Sequence, residues 1–309
     1  MKQNPIHQLV AILLVTFMAG ATGSAQAITT SWTAFIGDWS QPANWSGGEP
    51  TSADDAVIPS GVPTVTAQGE MCASLQISQG GKPGGLQMTT GSLDVLGALT
   101  VGQNVQGSTG SYSQVGGSMT AGSLDLTSGA FGIINGDFTT VSSDLRLGGS
   151  FSLGNVGQFT NTGAFTVEFG SAITVTGGTL DVGTDPADVA LMGGQFNYSA
   201  TPDISFKNLT FDGDSAVFHV QLSGLGLATI TVDGTLTLDG VLQVTDTGAP
   251  DGRYDIITAG AVAGNFDSIE FPEGDWSWGV ENTTLYVIKG QGTPEASASW
   301  GQVKAAFAR

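Results

Sequence analysis

The feature that most limits how this chain can fold is a turn-strand unit that returns about every 20 residues, a glycine or other small residue followed closely by a large apolar one. One register reads Gly91-Ser-Leu93, Gly110-Ser-Tyr112, Gly129-Ala-Phe131, Gly149-Ser-Phe151 and Gly170-Ser-Ala-Ile173, with glycines 19, 19, 20 and 21 residues apart. A second reads Gly97-Ala-Leu99, Gly117-Ser-Met119, Gly136-Asp-Phe138, Gly157-Gln-Phe159 and Gly178-Thr-Leu180, spaced 20, 19, 21 and 21. A third reads Gly122-Ser-Leu124, Ser143-Asp-Leu145 and Gly163-Ala-Phe165. Within the units, segments such as Ser123-Leu-Asp-Leu126 and Phe151-Ser-Leu153 alternate apolar and polar residues, which turns one strand face inward and the other to water.

Three strand-turn units per ~20 residues make one coil of a β-solenoid. A lone coil cannot bury its apolar face, whereas coils stacked at ~4.8 Å share a continuous core, so five coils over residues 91–190 would form a rod section of roughly 24 Å. A β-sandwich is the competing all-β fold, but it has no reason to show a threefold register. The predicted fold is therefore all-β: a right-handed parallel β-helix with about three short strands per coil.

Composition removes several function classes. The 309 residues include 47 glycines and 40% hydrophobic residues, enough for a core, but only 8 Lys+Arg against 27 Asp+Glu, a formal charge of −19. Nucleic acid is excluded as a partner, because phosphate binding needs clustered Lys and Arg. The single cysteine, Cys72, cannot form an internal disulfide and reads as a small buried residue, with an interchain disulfide as the alternative.

Met1-Lys2, the apolar run Leu9–Ala19 and Ala25-Gln26-Ala27 read as a secretory signal peptide over residues 1–27. The apolar run is short for a membrane span of ~20 residues, and no later segment is predicted to cross a bilayer. Removing it leaves 282 residues with a charge of −20. The rest divides into an N-terminal cap with a Trp-rich motif (28–70), solenoid repeats (71–190), a β region that continues or caps the solenoid (191–290), and a linker with a short amphipathic helical tail (291–309). In the tail Trp300, Val303 and Phe307 share one helical face, which suits either a frayed end or a docking element.

The opening segment, Trp32-Thr-Ala-Phe-Ile-Gly-Asp-Trp39 followed by Pro42-Ala-Asn-Trp45 and Asp54-Asp-Ala-Val-Ile58, resembles the first module of exported bacterial β-helix proteins with autotransporter-type β-strand repeats. The closing run Gly252-Arg-Tyr-Asp-Ile-Ile257, Gly264-Asn-Phe-Asp-Ser-Ile269 and Leu285-Tyr-Val-Ile288 is similar to the end of such regions. The resemblance implies secretion and a structural or adhesive surface role, and brings no catalytic residues with it. No translocator barrel or sorting motif accompanies it in this sequence. Independently of the resemblance, Trp32, Trp39 and Trp45 suit a cap over the first coil, whose open apolar end would otherwise invite end-to-end self-association; a ligand platform is the other use.

Few residues offer chemistry. The only histidine after residue 27, His219, lies in the alternating segment Val217-Phe-His-Val-Gln-Leu222 and reads as a strand-face residue. With one His and one Cys, neither a hydrolytic triad nor a zinc site is expected, and no cofactor is implied. Arg146 reads as an outward side chain without a matching Asp cluster beside it, which speaks against lyase chemistry. Asp181, Asp185 and Asp188, and the turn Asp212-Gly-Asp214, are acidic enough to suggest calcium but match no known loop pattern. Trp276 and Trp278 are two residues apart and share a strand face beside Asp275 and Glu281; that pair could stack on sugar rings or cap the last coil. The function expected is a secreted or cell-surface structural or adhesive solenoid without catalysis, with an extracellular polysaccharide or another surface protein as partner. The alternatives are a carbohydrate-binding protein and a polysaccharide lyase or hydrolase.

Overall fold

The computed structural model describes residues 28–103, 109–182, 188–199 and 202–290. The signal-peptide segment, Asp185 and the 291–309 tail with its expected helix lie outside the described residues. The chain forms a β-solenoid of about 10 turns. Its ladders are parallel from Thr29–Ser31 onward, until Thr284–Lys289 runs antiparallel to Gly252–Gly264 and to Trp276–Glu281. This parallel stacking excludes the β-sandwich, whose sheets are antiparallel.

Three inward columns make the core. One stacks Leu86, Tyr112, Phe131, Phe151, Ile173, Phe196, Phe218, Leu242 and Ile269. A second stacks Leu93, Met119, Phe138, Phe159 and Leu180, continuing to Ile204, and the third runs from Ala56 through Leu75, Leu99 and Leu124. Aromatic rings stack coil on coil: Phe138 lies over Phe159 at 5.5 Å and 3° between planes, and Phe131 over Phe151 at 5.7 Å and 13°. Each such ring buries on the order of 150–250 Å². In mid-rod the corners are tight enough that Ser111–Thr127 and Ala130–Arg146 run as single bent strands of 17 residues, so three separate short strands per coil hold only elsewhere.

Three members of the sequence registers change place. Leu93 stands in the column of Met119, not that of Tyr112, and Leu99 stands with Leu124, not Met119. The coil from Leu86 to Tyr112 is longer than the next, from Tyr112 to Phe131, so the 19-residue spacing upstream of Tyr112 joins two different faces. Leu145 stacks on Leu126; the residue above Leu124 is Ser143, a buried polar side chain whose Oγ donates to Asn161 Oδ1 at 2.8 Å. Asn161 in turn donates to the Gly163 carbonyl at 2.5 Å, so this polar corner is satisfied from within.

Both ends are closed. At the first coil, Trp45 stands edge-on between Trp32 (5.2 Å) and Trp39 (4.7 Å), and its Nε1 donates to the Trp39 carbonyl at 2.8 Å. The return segment bonds the outer edge of Thr29–Ser31: Ser46 N donates to Ser31 O and Thr33 N to Asn44 O, both at 2.8 Å. These tryptophans are thus cap residues. At the far end the Trp276–Lys289 hairpin folds back over Gly252–Gly264.

Glu70 occupies an inward position near the N-terminal cap, in register with Leu93 and only 7% exposed. Burial, a hydrogen bond to Glu49 and the nearby charges of Glu49 and Asp38 push its carboxyl up to about 7. Cys72, two residues on, is also inward, and burial pushes its thiol up to about 12, which leaves it a packing residue.

Two stability predictions follow from this geometry. A Cβ at Gly136 (φ +98°) would lie 2.4 Å from the Gly117 carbonyl oxygen of the coil below, whereas at Gly69 (φ +80°) it meets nothing. Gly136→Ala is expected to cost about 2–4 kcal/mol and Gly69→Ala about 1 kcal/mol in chemical denaturation, the difference being the backbone clash; equal costs would show that the corners do not touch. Because the folded Glu70 carboxyl is raised from 4.5 to about 7, folding loses stability as pH rises through that window, on the order of 2–3 kcal/mol by pH 8. Glu70→Gln should therefore raise Tm at pH 8 and leave it nearly unchanged at pH 4. Parallel Tm curves for the two proteins would remove the buried proton from the account.

Candidate functional site

The C-terminal hairpin brings the two predicted aromatic residues together. Trp276 pairs with Lys289, Trp278 with Val287 and Val280 with Leu285, so both indoles share the face of the fully buried Leu285 and Val287. Trp278 meets Phe266 edge-on at 5.7 Å, and Trp276 stacks on Phe271 at 6.0 Å and 11°. Lys289 sits 5.8 Å from the Trp276 ring while its Nζ reaches Asp246 at 2.6 Å and the Ala249 carbonyl at 2.5 Å. The rings therefore cover the last coil and remain half-exposed. Of the flanking acids, Glu281 is held by Arg253 at 2.5 Å.

The side chains that could act as acids or bases are mostly engaged. His219 is a half-buried rung between Asn197, whose Oδ1 lies 3.1 Å from Nδ1, and Thr245, whose Oγ1 lies 3.0 Å from Nε2; burial holds its pKa below the usual value. Among the described residues no carboxylate is hydrogen-bonded to it, so it lacks the acidic partner of a Ser-His-Asp arrangement.

Arg146 corrects one sequence reading. Asp125 and Asp144 are register partners on neighbouring coils, and Arg146 bonds Asp144 through both Nε and Nη2, with Glu168 at 4.0 Å. An acidic set does lie beside this arginine. The alternation that points Asp144 and Arg146 to one face was available in the sequence, as was the coil period linking Asp125 to Asp144. The hydrogen bonds that Arg146 donates to Asp144 and the charges of Asp144, Asp125 and Glu168 raise the Arg146 pKa further, opposite to what a general base needs. Arg253 is held in the same way by Glu281 and Asp255, and its guanidinium lies 4.0 Å from the Tyr286 ring centre.

Two acids of the acidic turns bond the coil beside them. Asp181 accepts from Ser205 on the next coil at 3.2 Å, and Asp188 from Asn208 at 2.6 Å. At the Asp212–Asp214 corner, Asp239 accepts the Gly213 and Gly240 N–H groups, and a hydrogen bond to Asp239 raises the Asp267 carboxyl. Among the described residues no group of three His, Cys, Asp or Glu is placed to hold a metal ion, and no helix is long and apolar enough to cross a membrane.

The outward positions form ladders instead. Asp94, Thr120, Thr139, Thr160, Asp181, Ser205, Thr231 and Thr258 stand one above another on the second face. Such hydroxyl-rich rungs bond to each other across coils, as Thr120 does to Asp94 at 2.7 Å. No protein-family model, curated protein or solved structure matches the chain, so the resemblance of its two ends to autotransporter-type repeat regions rests on those segments alone.

Proposed function

We propose that this chain is an exported, surface-associated structural or adhesive β-solenoid that works without catalysis. The observation that supports it best is the architecture: about 10 turns on one unbroken core, closed at both ends and dressed in short polar ladders. Such a rod resists local opening because each coil is held by the two beside it. The Met1-Lys2 start, the apolar run Leu9–Ala19 and the Ala25-Gln26-Ala27 site support export. The raised pKa of Arg146 and Arg253 and the hydrogen-bonded His219 support a non-catalytic role.

The carrying partner in this reading is an extracellular polysaccharide or another surface protein. End-to-end self-association is opposed at the first coil, where Ser46 and Asn44 already occupy the backbone groups of Ser31 and Thr33. A carbohydrate-binding role through Trp276 and Trp278 is the second reading, favoured by the half-exposure of both rings on one face. A polysaccharide lyase with an arginine base would need that base at a lowered pKa, which Arg146 and Arg253 do not supply.

Two measurements check these readings. Fractionation of bacterial cells producing the full-length chain should place it outside the cytoplasm with Ile28 as the first residue by mass spectrometry; intact Met1 in the cytoplasm would overturn export. The Trp276→Ala/Trp278→Ala double variant should lower Tm by several degrees, at ~2–4 °C per kcal/mol, and leave retention on polysaccharides unchanged. Loss of retention at unchanged Tm would shift the function to the aromatic hairpin.

A further inference from the structure

A groove of about 560 Å³ runs along one corner of the rod, away from the Trp276–Lys289 hairpin. Its lining residues come from five successive coils, which at ~4.8 Å per step separates its ends by about 19 Å. Its floor is bare peptide at Gly91, Gly116, Gly117 and Gly136, where the chain turns close over the coil beneath. One wall is a register column, Ser118, Asp137 and Gln158, joined by Gln68 at the N-terminal end. The other wall carries Asn135 and its register partner Val156, which is 67% exposed.

The structure explains the corner's glycines, and it ties Gln68 to the Thr90 carbonyl and Asn135 to the Gly136 N–H, but it gives Asp137, Gln158 and Val156 no such use. Gln114 sits behind the corner and is wholly internal: its Nε2 donates to the Gly117 and Asp137 carbonyls, and its Oε1 accepts from Tyr112. The core is thus complete without Asp137 and Gln158, whose exposed side chains bond to no other described residue. Val156 is an apolar side chain turned to water.

The chemistry of the walls selects the occupant. The Gln158 amide both donates and accepts, the Gln68 Oε1 and Asn135 Nδ2 stand beyond those backbone bonds as an acceptor and a donor, and Ser118 and Asp137 add a hydroxyl and an acceptor. No Lys or Arg lines the groove, and the chain carries −19, so an anionic ligand is repelled. One carboxylate is too few for a hard cation. What remains is a neutral molecule with many hydroxyls, and the wall repeats its hydrogen-bonding groups at the coil spacing, so the ligand repeats too. Sugar rings carry hydroxyls at their edges and C–H groups on their faces, matching polar side chains on one wall and Val156 on the other. Ser118, Asp137 and Gln158 recur in register from coil to coil, which suits an extended chain with a short repeat and not a coiled one. The geometry points to this groove as the binding site for a neutral, extended polysaccharide, with Asp137 and Gln158 as its principal hydrogen-bonding residues. The inference rests on the adhesive reading above and supplies its partner.

Affinity gel electrophoresis of the full chain tests it, with hydroxyethylcellulose, glucomannan, xylan and glycol chitin as extended neutral probes and amylose and polygalacturonate as controls. At least one extended probe should retard the protein. Asp137→Ala/Gln158→Ala should weaken that retardation at least tenfold, and Val156→Asp should do the same from the opposite wall. The Trp276→Ala/Trp278→Ala variant should bind as the parent does. Circular dichroism and Tm of the groove variants should match the parent, since the substituted side chains are exposed. No retardation by any extended probe, equal retardation by polygalacturonate, or retardation indifferent to the groove variants would each overturn the site. Cell fractionation separates the two levels: a chain outside the cell that binds no probe loses the groove alone, and a chain kept in the cytoplasm loses the adhesive reading.

Discussion

Everything in this molecule depends on in-register stacking of one coil on the next. A parallel ladder places residue on residue, so each inward column must be apolar at every level or be satisfied from within, and each corner must let backbone pass close over backbone. The two demands explain the two commonest features of the sequence together. Large apolar residues recur because Phe131, Phe151, Ile173 and Phe196 occupy successive levels of one column. Glycines recur because a Cβ at Gly117 or Gly178 would come within 2.2 Å of a carbonyl oxygen one coil below. Three inward exceptions are compensated: Gln114 by two backbone carbonyls, Ser143 by Asn161, and Glu70 by a proton held beside Glu49.

A stacked rod has an energetic weakness at its ends, where the last coil has a neighbour on one side only. The two solutions differ. The N-terminal end is covered by side chains, three mutually packed indoles, together with a return segment that consumes the edge of Thr29–Ser31. The C-terminal end is covered by backbone, an antiparallel hairpin whose direction breaks the parallel series, and Trp276 and Trp278 fill the space beneath it. The position of Trp278 against Phe266 and of Trp276 against Phe271 makes the capping use of this pair visible, a use that spacing alone left level with sugar stacking.

The solenoid was legible because its period is written three times over, but the assignment of residues to faces was not wholly so. Gly-Ser-Leu93 and Gly-Ser-Tyr112 look alike and stand on different faces, since corners on every face obey the same steric rule. At Ser143 the eye follows the nearest leucine, Leu145, and misses a polar residue in the column. Other features were present in the alternation and went unread: Cys72 pointing inward implies that Glu70 does too, and Asp144 shares a face with Arg146. The groove residues are an instructive case. Ser118, Asp137 and Gln158 are the middle letters of Gly-Ser-Met119, Gly-Asp-Phe138 and Gly-Gln-Phe159, so the column was in the repeat. That it lines a hollow depends on the shape of the corner, which no spacing records.

The outer surface follows from the same stacking, because charges one coil apart are forced to within about 5 Å of each other. Like charges at that distance destabilise a ladder, and the chain has many carboxylates and few cations. Most rungs avoid the conflict by setting a carboxylate against a neutral group, as with Asp94 and Thr120, Asp181 and Ser205, and Asp188 and Asn208. Where two acids do meet, the relief is specific: Arg146 beside Asp125 and Asp144, and a hydrogen bond between Asp239 and Asp267. Arg146, Arg253 and Lys289 are thereby consumed in ion pairs within the rod. The surface left to a partner is one of hydroxyls, amides and uncompensated carboxylates, which repels polyanions and meets neutral polyhydroxyl chains on equal chemical terms.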